Sequence, residues 1–132
     1  MTTKERPVIV YFSGTGQTDK LVSKINKNKE FDTLRVRTGK ETINRDYILI
    51  TPTYMKGEIP KQIQRLIQNN HAPKEVIGTG NRQWGEFFCG AGKQIANMFN
   101  IPLIAKVEQS GHFNEVEKIL NYFKKEYKVI GA

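Results

Sequence analysis

Residues 8–18 read V-I-V-Y-F-S-G-T-G-Q-T. An apolar run ends at Phe12, a loop with two glycines and two hydroxyls follows, and a helix begins near a third hydroxyl, Thr18. That is the order of a buried strand, a sharp turn and a helix N-terminus. Such a turn aims backbone N–H groups at one anion, with the positive end of the helix dipole behind them. Ser13, Thr15 and Thr18 add hydroxyls, and Gly14 and Gly16 let the backbone approach closely. The stretch predicts a phosphate cradle. Its plainer alternative is an ordinary strand-to-helix turn with a Ser or Thr cap.

Two widespread phosphate loops do not fit. A nucleoside-triphosphate loop needs Gly-Lys-Ser/Thr after its second glycine, and here Gln17 follows Gly16, with no lysine before Lys20. The dinucleotide fingerprint needs a third glycine where this chain has Asp19. What remains is a hydroxyl-rich loop with no cation of its own, suited to a terminal phosphate monoester.

Outward from this loop the chain alternates. Residues 7–12 read as a buried strand and 18–28 as a helix with Leu21, Val22 and Ile25 on one face. Strands are expected at 33–37, 46–51, 76–79 and 102–107, and helices at 59–70, 85–99 and 113–127. The run D-Y-I-L-I-T at 46–51 suits a parallel strand covered on both faces. Segment 39–45 is too short and polar for a helix, so the link between the second and third strands is expected to cross the end of the sheet. The pattern predicts one α/β domain over residues 1–132, a doubly wound parallel sheet of five strands with helices on both faces. Ligands of such sheets sit beyond the carboxyl ends of the strands.

Two further loops lie at such ends. One is T-P-T-Y-M-K-G-E-I-P, residues 51–60; the other is G-T-G-N-R-Q-W-G, residues 78–85. Together with the first loop they could flank a planar ring, with Tyr54 or Trp84 against its face. Trp84 could equally pack on the top of the third helix, and Tyr54 could be a surface residue. Arg82 is either a solvated loop charge or a contact to a partner or ring edge. His71 reads as a cap or surface group and Cys89 as a small buried residue. No nucleophile–base constellation and no metal-ligand spacing is legible, so no catalytic or metal residue is assigned.

The net charge is +8, from 21 basic and 13 acidic residues, which favours an acidic partner. Most of the lysines sit where helices would solvate them, and no basic run is interleaved with aromatics as in single-strand binders. No run approaches the ~18 apolar residues of a membrane span. The polar start, Met1 to Arg6, argues against secretion, and the lone Cys89 agrees with a reducing cytoplasm.

Three segments carry a resemblance: V-Y-F-S-G-T-G-Q-T at 10–18, Y-I-L-I-T-P-T-Y at 47–54, and G-N-R-Q-W-G-E-F-F at 80–88 with A-G-K-Q-I-A at 91–96. The chain resembles the flavodoxin-like proteins and, within them, the NrdI family associated with class Ib ribonucleotide reductase. The resemblance implies strand order 2-1-3-4-5 and non-covalent FMN. By matching position, Ser13, Gly14, Thr15, Gly16, Gln17 and Thr18 would hold the phosphate. Thr51, Thr53, Tyr54 and Gly57 would line one side of the flavin ring, and Thr79, Gly80, Asn81, Trp84 and Gly85 the other. Gln17 and Gln83 replace the family's usual asparagines. The short middle loop leaves the flavin relatively open.

The resemblance also implies a role: a redox accessory flavoprotein rather than a stand-alone metabolic enzyme. The reduced flavoprotein would meet oxygen and supply superoxide for building the dimanganese–tyrosyl radical cofactor on the manganese-loaded NrdF subunit, drawing on an unidentified electron donor. Nucleic acid and membrane are not expected as partners. The positive charge further predicts a comparatively stabilised anionic reduced flavin, with Lys56 and Arg82 the nearest candidates, and docking onto an acidic patch of NrdF. The alternatives are a general flavodoxin-type electron carrier and, from a different class, a basic nucleotide- or RNA-binding module.

Overall fold

A computed structural model describes residues 6–54 and 57–128. In chain order the elements are β1 (Val8–Tyr11), α1 (Gln17–Ile25), β2 (Thr33–Arg35), β3 (Tyr47–Thr51), α2 (Lys61–Asn69), β4 (Glu75–Gly80), α3 (Gly90–Phe99), β5 (Leu103–Glu108) and α4 (Phe113–Tyr127). All strand pairings are parallel, and the order across the sheet is β2-β1-β3-β4-β5. Since β2 and β3 flank β1, the link between them crosses the end of the sheet as expected. Glu41 organises that link by accepting the N–H groups of Arg37, Thr38 and Gly39. Burial pushes its carboxyl up, but these bonds, together with one from its own N–H, outweigh it and hold the pKa below the ordinary glutamate value.

Alternation along β1 divides the core. Ile9 and Tyr11 join Leu21, Ile25, Ile48, Ile50, Ile119 and Phe123 under α1 and α4. Val8, Val10 and Phe12 join Leu49, Ile63, Leu66, Ala91 and Ile95 under α2 and α3. Every residue of β1 and β3 is buried, which is why both read as unbroken apolar runs rather than alternating ones.

The one substantial departure from the sequence expectation is the third helix. Residues Arg82–Phe87 form 3-10 turns broken at Gly85, whose φ of 59° and ψ of −121° only glycine takes readily. The α-helix begins at Gly90, after Cys89 turns the chain with a left-handed φ of 56°. Helical spacing in the sequence could not register this break, because it depends on the backbone angles of Gly85 and Cys89. Elsewhere the element ends differ by a few residues: β2 stops at Arg35, α1 at Ile25, and α2 starts after Pro60.

At the far edge, α4 opens with a reciprocal cap. Glu115 accepts the His112 N–H at 2.9 Å and the His112 side chain receives a first-turn N–H. At its other end Tyr127 donates to the buried Glu75 at 2.5 Å, and Tyr122 donates to the same carboxylate. This ties the last helix to the amino end of β4.

Candidate functional site

The loops leaving the carboxyl ends of β1, β3, β4 and β5 enclose a cleft of about 420 Å3. Its walls are Gly14, Thr15, Gln17 and Thr18 from the first loop, Pro52, Thr53 and Tyr54 from the second, Thr79, Gly80, Asn81 and Trp84 from the third, and Gln109 from the turn after β5. Four stretches of chain, spread from Gly14 to Gln109, therefore meet where a doubly wound sheet reverses strand order.

The first loop is shaped by its own serine. Ser13 Oγ accepts the N–H groups of Gly16 at 3.1 Å and Asp19 at 3.2 Å. This buried side chain stands behind the loop rather than in the cleft wall. Gly16, with φ of 94°, turns the chain into α1. Among the described residues, the N–H groups of Gln17 and Thr18 meet no protein acceptor, as expected of a first helical turn without a side-chain cap. Thr18 Oγ1 lies 3.5 Å from Thr79 Oγ1, which joins the first loop to the third. The available donors thus include the N–H groups of Gln17 and Thr18, those of Gly14 and Thr15, which likewise meet no protein acceptor among the described residues, and the hydroxyls of Thr15 and Thr18. This set fits a phosphate monoester.

The second loop folds back on itself: Tyr54 and Glu58 exchange backbone hydrogen bonds of 2.9 and 2.7 Å. Thr53 Oγ1 accepts the Ala91 N–H at 3.2 Å, fixing the loop to the first turn of α3. Thr51 is fully buried, and its hydroxyl donates to the Pro52 carbonyl at 2.9 Å. Gly57 passes so close to Gly90 that a Cβ on Gly90 would stand 2.8 Å from its Cα. Thr51 and Gly57 therefore set the course of the loop and do not line the cleft. Tyr54 packs edge-on against Phe12, its hydroxyl over Gly14, and burial raises its pKa.

In the third loop Asn81 Oδ1 accepts the Gln83 N–H at 2.9 Å and caps the 3-10 turn. This places Trp84, 37% exposed, at the cleft mouth. Gly85 supplies the break in that turn from outside the wall. Cys89 is fully buried, its thiol donates to the Gly78 carbonyl, and burial pushes its pKa up to about 11. It is a packing residue.

Arg82 is not one of the residues that line the cleft. Its guanidinium bonds Glu115 at 2.9 Å, approaches Glu108 at 3.5 Å and covers the face of Phe88. Two carboxylates answer its charge, so it is not the local cation that would favour an anionic flavin. The companion candidate, Lys56, lies outside the described residues. Glu108 also pairs with His112 at 3.1 Å, and this bond, ahead of the neighbouring charges, holds its pKa below the ordinary value.

Pro52 and Gln109 were not anticipated. Gln109 takes a left-handed φ of 53° and donates its N–H to the Gly80 carbonyl at 2.8 Å. The end of β5 lies at the same sheet edge as the other three loops, which is the signal that could have found it. A larger groove of about 1060 Å3 runs between α2 and α3, lined by Gln62, Gln64, Gln68, Ile67 and Met98. It meets the cleft at Tyr54 but holds none of the donors of the first loop. Among the described residues no three His, Cys, Asp or Glu gather as a metal site, and no helix is long and apolar enough to cross a membrane.

Residues 9–121 match the family model described as NrdI, flavodoxin-like. The chain belongs to the NrdI family. Protein NrdI of Mycoplasma genitalium is 33% identical, across 89% of this chain and 86% of its own. Protein NrdI of Macrococcus caseolyticus is 35% identical across 84% of each. Among solved structures, a Fusobacterium nucleatum flavodoxin bound to flavin mononucleotide superposes with a TM-score of 0.64 at 22% identity, covering 90% of this chain and 96% of that one. A short-chain flavodoxin associated with a bacterial microcompartment gives 0.65 at 14%, covering 92% and 95%. These likenesses show the flavodoxin fold, and fold and NrdI membership together imply a flavin cofactor.

Proposed function

We propose that this NrdI-family chain binds FMN in the 420 Å3 cleft and serves as the redox accessory protein of a class Ib ribonucleotide reductase. The observation that carries the proposal is the convergence of acceptor-free backbone N–H groups of the first loop, two threonine hydroxyls and an indole on one cleft at the sheet's switch edge. The donor set fits a phosphate, and the volume lies within the ordinary range for cofactor sites.

When bound, FMN supplies one- and two-electron chemistry, and the protein sets where it sits and what reaches it. Gln17 and Thr18 N–H with the Thr15 and Thr18 hydroxyls would hold the phosphate, while Ser13 and Gly16 keep the loop in shape. Tyr54 and Trp84 would bracket the ring, and the main chain at Gly80 and Asn81 would meet its polar edge. Thr53, through Ala91, keeps the second loop on α3. The open mouth beside Trp84 leaves a path for oxygen. In this reading the reduced protein passes single electrons to oxygen, and the superoxide serves assembly of the dimanganese–tyrosyl radical on NrdF in the cytoplasm.

Purified protein should be yellow or become so with FMN, and should release FMN on denaturation. Reduced protein, oxygen and manganese-loaded NrdF should then give a tyrosyl radical by electron paramagnetic resonance. A chain that FMN cannot reconstitute refutes the cofactor. A flavoprotein that yields no radical refutes the NrdF role and leaves a general electron carrier.

A further inference from the structure

The phosphate loop has no cation in its own sequence, and the helix behind it carries a carboxylate in its first turn. Asp19 is the third residue of α1, one position past the acceptor-free N–H groups of Gln17 and Thr18. It already sits where the helix dipole welcomes a negative charge. A phosphate monoester dianion would be a second anion at the same helix end, and the two would repel.

The neighbouring strand answers this. Arg35, the last residue of β2, donates from Nη2 to the Ser13 carbonyl at 3.3 Å, and its Nη1 stands 3.8 Å from Asp19 Oδ1. Tyr11, at the end of β1, donates its hydroxyl to the same Oδ1 at 3.0 Å. Burial first, and then this bond to Asp19, raise the Tyr11 pKa, so the hydroxyl stays a donor. The positive charge of Arg37, two residues beyond Arg35, also reaches Tyr11. One guanidinium thus touches the loop backbone and the offending carboxylate together. The register that pairs Tyr11 with Arg35 across β1 and β2 puts it there.

We infer that Arg35 is a positioning residue of the phosphate cradle: it neutralises Asp19 and pins the Ser13 carbonyl, so that a loop of neutral donors can accept a dianionic phosphate monoester. The inference rests on the FMN reading above. Its distinctive consequence is selectivity between FMN and riboflavin, which differ by that phosphate alone.

The test is flavin-fluorescence titration of the full-length apoprotein with FMN and with riboflavin, in parallel with far-UV circular dichroism melts. Arg35→Gln should weaken FMN about tenfold and leave riboflavin within about twofold. Arg35→Lys should retain much of the FMN preference. The double variant Arg35→Gln with Asp19→Asn should recover FMN affinity to within about threefold of the parent, since the repelling charge leaves with its partner. Equal losses for both flavins, no loss for FMN, or no recovery in the double variant would overturn the inference. Should Arg35→Gln not fold, Asp19→Asn alone decides: it should tighten FMN about threefold and leave riboflavin unchanged, and no tightening overturns the inference. A parent that binds riboflavin as tightly as FMN refutes the phosphate cradle itself. A parent that prefers FMN while Arg35→Gln keeps that preference refutes only the role of Arg35.

Discussion

Gly92→Ala sets a local rule against a tertiary one. Gly92 lies inside α3, where alanine is the better helix former by about 1 kcal/mol. On propensity alone the substitution stabilises. The structure says otherwise, because a Cβ at Gly92 would stand 2.8 Å from the Cα of Gly78 and 3.2 Å from its N. Both obstacles are backbone atoms of β4. Gly78 pairs with Thr51 of β3 on one side and Lys106 of β5 on the other, so the strand cannot yield locally. The helix must lift instead. Overpacking of this kind costs about 1–3 kcal/mol, and the rigidity of a central strand puts this site at or above the upper end. Against the propensity gain, the net loss should be about 2 kcal/mol, or roughly 6–10 °C in midpoint for a domain of this size. Lifting α3 also strains the bond from Ala91 N–H to Thr53 Oγ1 that fixes the second loop. FMN affinity should therefore fall about fivefold, the equivalent of one ordinary hydrogen bond. Urea denaturation of the apoprotein by far-UV circular dichroism measures the first effect and FMN titration the second. A Gly92→Ala protein as stable as the parent, or more so, would refute the claim that the Gly78–Gly92 approach is rigid.

Three further outcomes are expected. Ser13→Ala removes the acceptor of two loop N–H groups; it should cost about 1 kcal/mol of apoprotein stability and weaken FMN more than riboflavin, by melting and titration. Stability measured against pH should begin to fall near pH 9, the ordinary value of the Cys89 thiol that burial pushes up to about 11, and fall more steeply above about pH 10, the unfolded tyrosine value. Burial raises Tyr47 to about 12, and burial with the Glu75 bonds raises Tyr122 and Tyr127, so each is favoured in its protonated form by the fold and loses that advantage as pH climbs through its folded value. Tyr47→Phe should flatten part of the fall, and a midpoint insensitive to pH between 10 and 12 would refute this account. The surface bears eight net positive charges, so affinity for an acidic docking partner should drop as salt rises from 0.05 to 0.5 M, roughly the span over which the Debye length shortens to a few ångström; salt-independent binding would remove charge as the docking force.

The doubly wound parallel sheet and the meeting of three loops were legible because they follow from periodicity and topology, while the strand order came with the family resemblance. Unbroken apolar runs at β1 and β3 meant a sheet covered on both faces, and that architecture sends every βα loop to one edge. What stayed hidden depended on which way single side chains turn. Ser13 and Thr51 are the right types in the right loops, yet their buried hydroxyls bond within those loops and hold the walls of the cleft. Sequence gives a hydroxyl its position but not its partner. The start of α3 was hidden for a related reason: the Gly85 break and the left-handed Cys89 leave no trace in helical spacing. Gln109 was missed because β5 runs to Glu108, one residue past its expected end, and carries the turn into the cleft.

Charge shows the same limit from another side. The chain is strongly basic, and the simplest use of that excess is to place a cation against a negative flavin. Arg82, the described residue best placed by sequence for that task, is engaged by Glu108 and Glu115 instead. Its work is to hold the third loop against the first turn of α4, and the cap formed by His112 and Glu115 steadies the same corner. A guanidinium that does reach the first loop is that of Arg35, which comes from a strand with no loop of its own in the wall. Net charge therefore says little about the field at the flavin. That field is set by which carboxylates each arginine meets first, and among the described residues one arginine is consumed by two carboxylates while another meets the Asp19 carboxylate beside the phosphate loop.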